Sequence, residues 1–511
     1  MTTPMPDALE LPAAAVDATV AAAPQERRLH PMSWLFVLIQ QLRQFIVPIV
    51  VLFLFGSGDR NDLWGLVSIC ILGAISLWQY YSYRYTIGED SLQIRSGMLE
   101  RSLRQIPFAR IHNVGLHQTL LHRIFGVAEV RLESAGGIKP EADMRVLKLD
   151  DALALEALVR RKSGAAAKAG AAAPADAGDV LHTLSYAEIV RVGLISNRGM
   201  LAIGGGFAAL AQFSPDLIEK ILRGVAYGMF GVVESYGRGH EAIAVMAMIV
   251  GFVVLVRLFS VAIALLQYSG FRLEEHGRRL TLERGLFTRM RTSTPRRRIQ
   301  SWTLREGMLH RLFHRRTLEV STAVLDNGSH GQPRSLREIA PVALPERCDE
   351  LIRQLAPRIQ WPIDEWRPLH RWTGWRLFVP RLLITAALAW LGWYKFGVLG
   401  ATLVALWAPW AAYISWQDAR HAGYAIDDTL VAIRSGWWSR KWRFAELDKL
   451  QAIRIGQSPL ERMLGMASLL LDTAGGNDMT EPLRLRFLPA ADAHALHAHL
   501  GRKIALSTLR W

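Results

Sequence analysis

Long apolar runs and polar segments of alternating character follow one another along this chain. The apolar runs come in three pairs, and they cover residues 34–55 and 63–80, 200–213 and 242–267, and 377–393 and 398–416. A helix needs about 20 residues to cross a bilayer core about 30 Å thick, and several runs reach that length only with their flanks. The pattern predicts six transmembrane helices arranged as three hairpins.

A polar segment follows each pair, and within it apolar and polar residues alternate over short runs that are broken by Gly and Pro. This period of two is typical of antiparallel strands joined by turns. A helical pattern closes each segment, at residues 150–161, 345–355 and 490–499. The expected class is an α+β membrane protein, in which each hairpin is followed by a β split barrel with a carboxy-terminal helix.

The polar segments are copies of one module. The strings RIHNVGLHQTLLHRIFG from Arg110, RIQSWTLREGMLHRLFH from Arg298 and KLQAIRIGQSPLERMLG from Lys449 align without a gap. Such self-similarity indicates a repeated structural unit. The repeated positions that we interpret as structural are Gly97, Pro107, Arg123, Gly126, Gly285, Pro295, Arg311, Gly436, Arg462 and Gly465.

These patterns divide the chain into a tail, three hairpins, three modules and a linker. In order, we predict a disordered cytoplasmic tail (1–32), hairpin 1 (33–81), module 1 (82–162), an Ala/Gly linker (163–180), hairpin 2 with a longer external loop (181–267), module 2 (268–357), hairpin 3 (370–418) and module 3 (421–503).

Module 1 carries a more specific pattern. The sequence Y-x-I-x-x-D-x-L-x-I-x-x-G from Tyr85, the pair Ile106-Pro107 and Q-x-L-L-x-R-x-F-G from Gln118 resemble the bacterial pleckstrin-homology (PH) domain of the second type, formerly called the membrane-flanked domain. The whole chain is similar to three-module membrane PH proteins, which bacteria often encode beside a smaller single-module protein. The resemblance implies a PH-like fold, the bacterial cytoplasmic membrane, and no assigned catalytic residue or ligand. Module 2 departs from the pattern at Phe271 and His314.

Charge adds a candidate chemistry. The chain has 60 Lys and Arg against 45 Asp and Glu, a net charge of +15, and 51% hydrophobic residues. A basic chain that is also apolar indicates a membrane rather than nucleic acid. Candidate contacts for anionic lipid or an acidic partner are Arg101, Arg110, Arg289, Arg296, Arg297, Arg298, Arg440 and Lys449. The alternative, an ordinary positive-inside bias with a solvated face, stays open.

The sequence predicts an interaction protein. It contains no phosphate-binding loop, nucleophile elbow or zinc-protease motif, so we expect no enzyme, no cofactor and no metal. The expected partners are anionic lipids of the inner leaflet and another membrane protein, for which a single-module PH protein is one candidate. The expected topology is multi-pass, with both termini and all modules in the cytoplasm.

The alternative function is a transporter or lipid-moving protein that uses the six helices. Transport sites usually show intramembrane charges or broken helices. Here only Arg257 and the run Gly204–Gly206 have that character. Arg43, Arg198 and Arg381, near the start of each hairpin, are expected to extend to the membrane interface.

Overall fold

The computed structural model describes residues 26–39, most of 71–97, 101–134, 142–165, 178–213, a few positions within 216–227, 241–322, 336–473 and 483–506. Most of the tail, most of hairpin 1 including Arg43, and most of the linker lie outside the described residues. The chain divides into two compact units, Met1–Ala109 and Arg110–Trp511. Of the predicted α+β class, the combination of helices with several antiparallel sheets is confirmed.

The first unit contains one antiparallel sheet of four strands, in the order β1-β2-β3-β4. The strands are β1 (Glu26–Arg28), β2 (Arg84–Ile87), β3 (Ser91–Ser96) and β4 (Ser102–Pro107). Alternation along the strands gives the sheet a buried face, with Tyr85, Leu92, Ile94 and Ile106. The opposite face is polar.

The second unit contains the remaining strands. They are β5 (Ile111–Gln118), β6 (Val127–Ser134), β7 (Ala142–Lys148), β8 (Asp179–Thr183), β9 (Arg272–His276), β10 (Arg279–Arg284), β11 (Arg289–Pro295), β12 (Ile299–Glu306), β13 (Arg316–Thr322), β14 (Glu338–Ala343), β15 (Arg367–Pro368), β16 (Gly423–Ile426), β17 (Leu430–Ser435), β18 (Arg440–Glu446), β19 (Leu450–Gly456), β20 (Met466–Thr473) and β21 (Leu483–Pro489). Two seven-stranded sheets have the orders β7-β6-β5-β11-β10-β9-β8 and β14-β13-β12-β18-β17-β16-β15, and a third has the order β19-β20-β21.

Each seven-stranded sheet crosses a module boundary. Strand β5 of module 1 pairs with β11 of module 2, so that Gln118 lies opposite Arg289. Strand β12 of module 2 pairs with β18 of module 3, so that Glu306 lies opposite Arg440. In the repeat alignment these two residue pairs are the same positions. Adjacent modules are therefore joined edge to edge, twice in the same register.

The repeated glycines explain one turn of each module. Gly285 and Gly436 have positive φ angles of 110° and 81°. A Cβ at these positions would lie 2.0 Å from the Thr288 carbonyl oxygen and 2.1 Å from that of Ser439. Only glycine fits this backbone without strain. Gly97 has the corresponding φ of 128°.

The helices of the second unit are α1 (Leu120–Ile124), α2 (Leu149–Ala165), α3 (Tyr186–Ile195), α4 (Arg198–Phe213), α5 (Glu241–Tyr268), α6 (Met308–Leu312), α7 (Pro345–Leu355), α8 (Thr373–Ala405), α9 (Trp407–His421), α10 (Pro459–Met463) and α11 (Ala490–Leu506). The short helices α1, α6 and α10 lie within the three repeat strings, and each directly follows a strand: β5, β12 and β19 respectively. Helices α2, α7 and α11 end the modules.

Two described helices are long and apolar enough to cross a membrane, within Val245–Tyr268 and Thr373–Thr402. A third is obtained if α3 and α4, which meet at a bend of 58°, form one broken span. The six predicted spans are thus not established by the described residues. Gly397 has non-helical angles (φ 64°, ψ −150°) inside α8. Because Gly392 and Gly400 are in close contact across it, the chain reverses there.

A continuous apolar core connects hairpin 2 with module 2 and with strands β17 and β18 of module 3. It includes Tyr268 of α5, Leu304 of β12, Leu351 of α7 and Phe444 of β18. Across the module boundary the Trp302 ring stacks on Phe444, with centroids 6.3 Å apart. A second core fills module 3. Hairpin 2 is thus packed directly against module 2.

Candidate functional site

A buried carboxylate lies where hairpin 2 meets module 2. Glu338, the first residue of β14, accepts hydrogen bonds from Arg198 of α4 at 2.7 Å and from Arg284 of β10 at 3.0 Å. The Tyr268 hydroxyl at the end of α5 donates to the same carboxylate. Both guanidinium groups also lie over the Tyr268 ring, at 5.1 and 5.5 Å from its centroid. We call these four residues the Glu338 cluster.

The carboxylate of the Glu338 cluster stays ionised. Burial alone would raise the pKa of Glu338, but the Arg198 and Arg284 guanidiniums outweigh burial and hold that pKa below its ordinary value. A buried charge is tolerated when it is paired and hydrogen-bonded. An anion is therefore bound at the foot of hairpin 2, by which we mean the end that meets module 2. This anion is a side chain of the protein, the Glu338 carboxylate.

Module 3 carries the opposite charge at the corresponding position. Glu338 lies opposite Glu319 of β13, and Arg484 lies opposite Leu470 of β20. Glu319 and Leu470 are equivalent in the repeat alignment, so Arg484 takes the place of Glu338. At this strand position module 3 therefore has a basic residue in place of the carboxylate that module 2 uses.

A cavity of about 450 Å³ lies at this position, and we call it the foot cavity. Its lining residues from hairpin 3 and the segment before it are Leu369, Thr373, Leu377, Asp418 and Ala422. Those from module 3 are Tyr424, Ile433, Arg434, Ser435, Gly436, Lys441, Arg443, Arg484, Leu485, Arg486 and Phe487. Five basic side chains therefore face one acidic side chain, next to apolar residues of the hairpin.

The acidic residue of the foot cavity has partners within the protein. Asp418 of α9 accepts from the Arg381 guanidinium at 2.8 Å and from the Trp437 backbone N–H at 3.0 Å. Arg381 also donates to Ser415 at 2.6 Å. Arg198 and Arg381, expected at the membrane interface, thus bind carboxylates there. Asp418, the acidic residue among those that line the cavity, is thus already paired with Arg381.

Arg434 is held rigidly in the wall of the foot cavity. Its Nε donates to the His421 carbonyl at 2.8 Å, and its guanidinium lies 5.1 Å from the centroid of the Trp366 ring. Burial, and then the positive charge of Arg440, lower the pKa of Arg434 from its ordinary value. A bound anion would relieve the repulsion between these two cations.

A second basic surface lies on the polar face of the four-stranded sheet. Arg28 lies opposite Arg84, which lies opposite Arg95, so three arginines cross three adjacent strands. Like charges placed opposite each other destabilise a sheet. Arg84, Arg95 and Arg101 line a cavity of about 280 Å³, which is also lined by Leu103, 70% exposed. Arg84 follows the helical residues 80–82, so this surface lies directly after hairpin 1.

In module 2 the matching surface is neutralised. Acidic residues replace Thr86 and Arg95 there, namely Glu274 and Glu283. Arg289 pairs with Glu283 at 2.7 Å. Arg95 and Arg101 form no ion pair with any residue in the described part of the chain. The polar face of the first unit is therefore more positive than the matching face of module 2.

The predicted arginine triplet of module 2 has separate environments. Arg296 pairs with Glu275 at 2.7 Å and donates to the last carbonyls of α7, at Gln354 and Leu355. Arg298 is buried. Arg297 is exposed, and its carbonyl oxygen accepts from the Lys449 ammonium at 2.9 Å. The triplet therefore does not form one exposed basic cluster.

Two further predicted contacts are Arg440 and Arg110. Arg440 pairs with Glu306 of the preceding module, at 3.9 Å. Arg110 is exposed. Neither lies in the foot cavity.

The repeated arginines of the short helices bind the next module. Arg123 donates to the Leu286 carbonyl at 3.2 Å, and Arg311 donates to the Trp438 carbonyl at 2.7 Å. Both acceptors follow the repeated glycine of the neighbouring module. Together with the strand pairing, this hydrogen bond fastens one module to the next.

Arg257, the intramembrane charge noted in the sequence, caps a helix break. Its guanidinium donates to the Leu194 and Ser196 carbonyls, at 3.0 and 3.1 Å, where α3 ends. The run Gly204–Gly206 has open space where a side chain would lie, with respect to the described residues. Close packing occurs instead at Gly193 and Gly199, which contact α5.

Comparisons with known proteins match this architecture. The chain is similar to the UPF0699 transmembrane protein YdbT of Bacillus subtilis (strain 168), with 21% identity over 321 residues that cover 58% of this chain and 63% of the relative. The matched part is less than two thirds of that relative's length. No solved structure matches the chain. The bacterial PH domain matches three segments, residues 36–163, 220–356 and 381–504. The chain therefore belongs to the bacterial PH domain family.

Proposed function

We propose that this protein is a multi-pass scaffold of the bacterial cytoplasmic membrane that binds anionic phospholipid in its foot cavity. Six helices in three hairpins would hold the three modules at the cytoplasmic face. The role is one of binding, without catalysis. The observation that carries the proposal is the exchange of Glu338 for Arg484 at equivalent positions.

The chemistry of the foot cavity suits a phospholipid. Arginine binds phosphate oxygens through two parallel N–H groups, and Arg484 and Arg486 are exposed on the last strand. Leu377, one helical turn into hairpin 3, and the nearby Phe487 offer apolar surface beside these charges. A head group in the cavity would thus leave its acyl chains directed toward the bilayer. The basic surface around Arg95 and Arg101 would add attraction to the same anionic leaflet.

The test is to restore the internal carboxylate. Arg484→Glu places in module 3 the acid that module 2 has, so the cavity should bind its own side chain instead of lipid. The purified full-length protein, in zwitterionic detergent, is titrated with fluorescent short-chain phosphatidylglycerol. Basic residues contribute about 1 kcal/mol each near anionic lipid, so reversing one charge should weaken binding roughly 30-fold.

The matched control is Arg502→Glu, the same charge change at an exposed position of α11. It should leave the dissociation constant within about twofold of the wild-type value, and neutral phosphatidylcholine should bind weakly to all variants. Salt should weaken the wild-type interaction, because the Debye length shrinks from about 10 Å at 0.1 M to about 3 Å at 1 M. Equal weakening by both substitutions would reject the foot cavity as the lipid site.

A further inference from the structure

The module junctions leave two strand edges without a neighbour. Strand β4 ends its sheet, whereas its counterparts β11 and β18 each pair with the preceding module. Strand β19 ends its sheet, whereas its counterparts β5 and β12 each pair with the following module. Within the described part of the chain, no strand lies on the outer side of either edge. The two edges are complementary, because edges of these two kinds meet at both internal junctions.

A comparison of β19 with its counterparts β5 and β12 shows which apolar residue an internal junction buries. At the internal junctions Leu116 of β5 and Leu304 of β12 are 4% and 0% exposed. The equivalent residue of β19 is Ile455, which is only half-buried. The same apolar position is thus buried where a module follows and partly open where none follows.

The arginine that links each internal junction shows the same difference between the internal junctions and module 3. Arg123 and Arg311 donate to backbone carbonyls of the following module. Arg462 is their equivalent in α10, and its side chain is exposed and donates to no described residue. Module 3 therefore has both parts of a junction, the strand edge and the arginine.

We propose that β19 of one copy of this chain pairs with β4 of a second copy, in the register of the internal junctions. Ser102 would lie opposite Gly456, and Leu103 opposite Ile455. Arg462 would donate to a backbone carbonyl of the second copy, as Arg123 and Arg311 do to the following module. A second copy is the occupant because the chain itself carries both complementary edges.

This contact is heterologous, since it joins two different surfaces. Such an interface produces a closed ring or an open row of subunits rather than a twofold dimer. The strand addition itself is a common mode of recognition, in which main-chain hydrogen bonds supply the affinity. The assembly would align the modules of many copies along the membrane surface.

One residue pair makes this junction weaker than the internal ones. Arg104 would lie opposite Arg454, whereas Thr292 lies opposite Gly115 and Arg443 opposite Thr303 at the internal junctions. Like charges directly opposite each other in a sheet are unfavourable. The arrangement predicts reversible association that charge reversal can tune.

The experiment is cross-linking between chains in native membranes. One chain carries Ser102→Cys and a differently tagged chain carries Gly456→Cys, both with Cys70→Ala. Cys348 can remain, because it is buried and burial raises the pKa of its thiol to about 12. A short bis-maleimide should produce a dimer that contains both tags. A single chain with both substitutions should produce a ladder of multimers.

Two controls fix the register. Arg305→Cys with Lys441→Cys is the equivalent pair at an internal junction and should cross-link within one chain. Ser102→Cys with Ala452→Cys is shifted by four residues on β19 and should give far less product. If the doubly substituted chain yields only a monomeric product, closure within one chain replaces the proposal. If the internal control reacts and the 102–456 pair does not, the proposal is wrong.

Charge reversal provides an independent measurement. Arg454→Glu should increase the yield of two-tag dimer about two- to fivefold, the scale of one cross-strand pair. Arg104→Glu should do the same, and the two substitutions together should cancel the gain. Arg462→Gln should lower the yield. A yield that is indifferent to all four variants would overturn the proposed pairing.

Discussion

The turn between β17 and β18 depends on the glycine at position 436. Gly436→Ala should lower the free energy of unfolding by at least about 1–2 kcal/mol, the cost of a left-handed conformation for a residue with a Cβ. The new Cβ would also meet the Ser439 carbonyl oxygen. Gly456→Ala is the control, because its Cβ would meet nothing within 4 Å. Thermal unfolding of the full-length protein in detergent should separate the two, and equal melting temperatures would contradict the assignment.

Glu338 should make stability depend on acid pH. Its folded pKa lies below the unfolded value of about 4.3, so its contribution is fully present above that pH and is lost as pH falls through the folded pKa. The facing charges are Arg198, Arg284 and, across the strand, Glu319. The melting temperature of Glu338→Gln should be lower at neutral pH and should fall less between pH 5 and pH 3. A parallel pH dependence in both proteins would show that other groups dominate.

Single residues differ in how well their roles can be read from the sequence. The repeated glycines are predictable, because a turn with positive φ needs glycine whatever surrounds it. His314 shows the limit, since it adopts a φ of 51° at the position of Gly126 and Gly465. The charge exchange between Glu338 and Arg484 was missed, because it follows the least regular part of the repeat. Only the strand register makes the two positions equivalent.

Among the elements, the break between α3 and α4 depends on Arg257. Without its guanidinium the Leu194 carbonyl would lose this donor, at a cost of about 1–3 kcal/mol for an unsatisfied group, whereas the Ser196 carbonyl would keep the hydrogen bond from the Ser260 hydroxyl. Arg257→Leu should therefore lower the melting temperature. The measurement follows the Cys348 thiol, which is buried in the folded state, with a thiol-reactive dye in the Cys70→Ala background. The control Arg191→Leu removes a cation from α3 that makes no described hydrogen bond.

The hairpin and strand patterns carried different amounts of information. The reversal of hairpin 3 is at Gly397, immediately after the residues 394–396 that the sequence indicated. The short interruption between the two apolar runs was sufficient to locate this reversal. The pairing of β5 with β11 was not predicted, because any antiparallel edge can accept another and the sequence gives no preference between partners.

On the scale of the whole molecule, strands that precede a hairpin in the sequence pair with strands that follow it. Because β12 is hydrogen-bonded to β18, the chain must leave and return on one side of the membrane between them. The same holds for β5 and β11 around hairpin 2. We therefore expect each of these hairpins to cross the membrane an even number of times.

This continuity, together with the arginine-rich modules, leads to the prediction that all modules are cytoplasmic. Cysteines at Ser57 and Lys395, which lie between the two apolar runs of the first and third pairs, should react with an impermeant thiol reagent added outside intact cells. A cysteine at Ser335 in module 2 should react only after the membrane is opened. Lysed cells labelled in parallel control for reactivity itself. Labelling of Ser335→Cys but not Lys395→Cys in intact cells would invert the topology, and labelling of all three would contradict the two-sided arrangement.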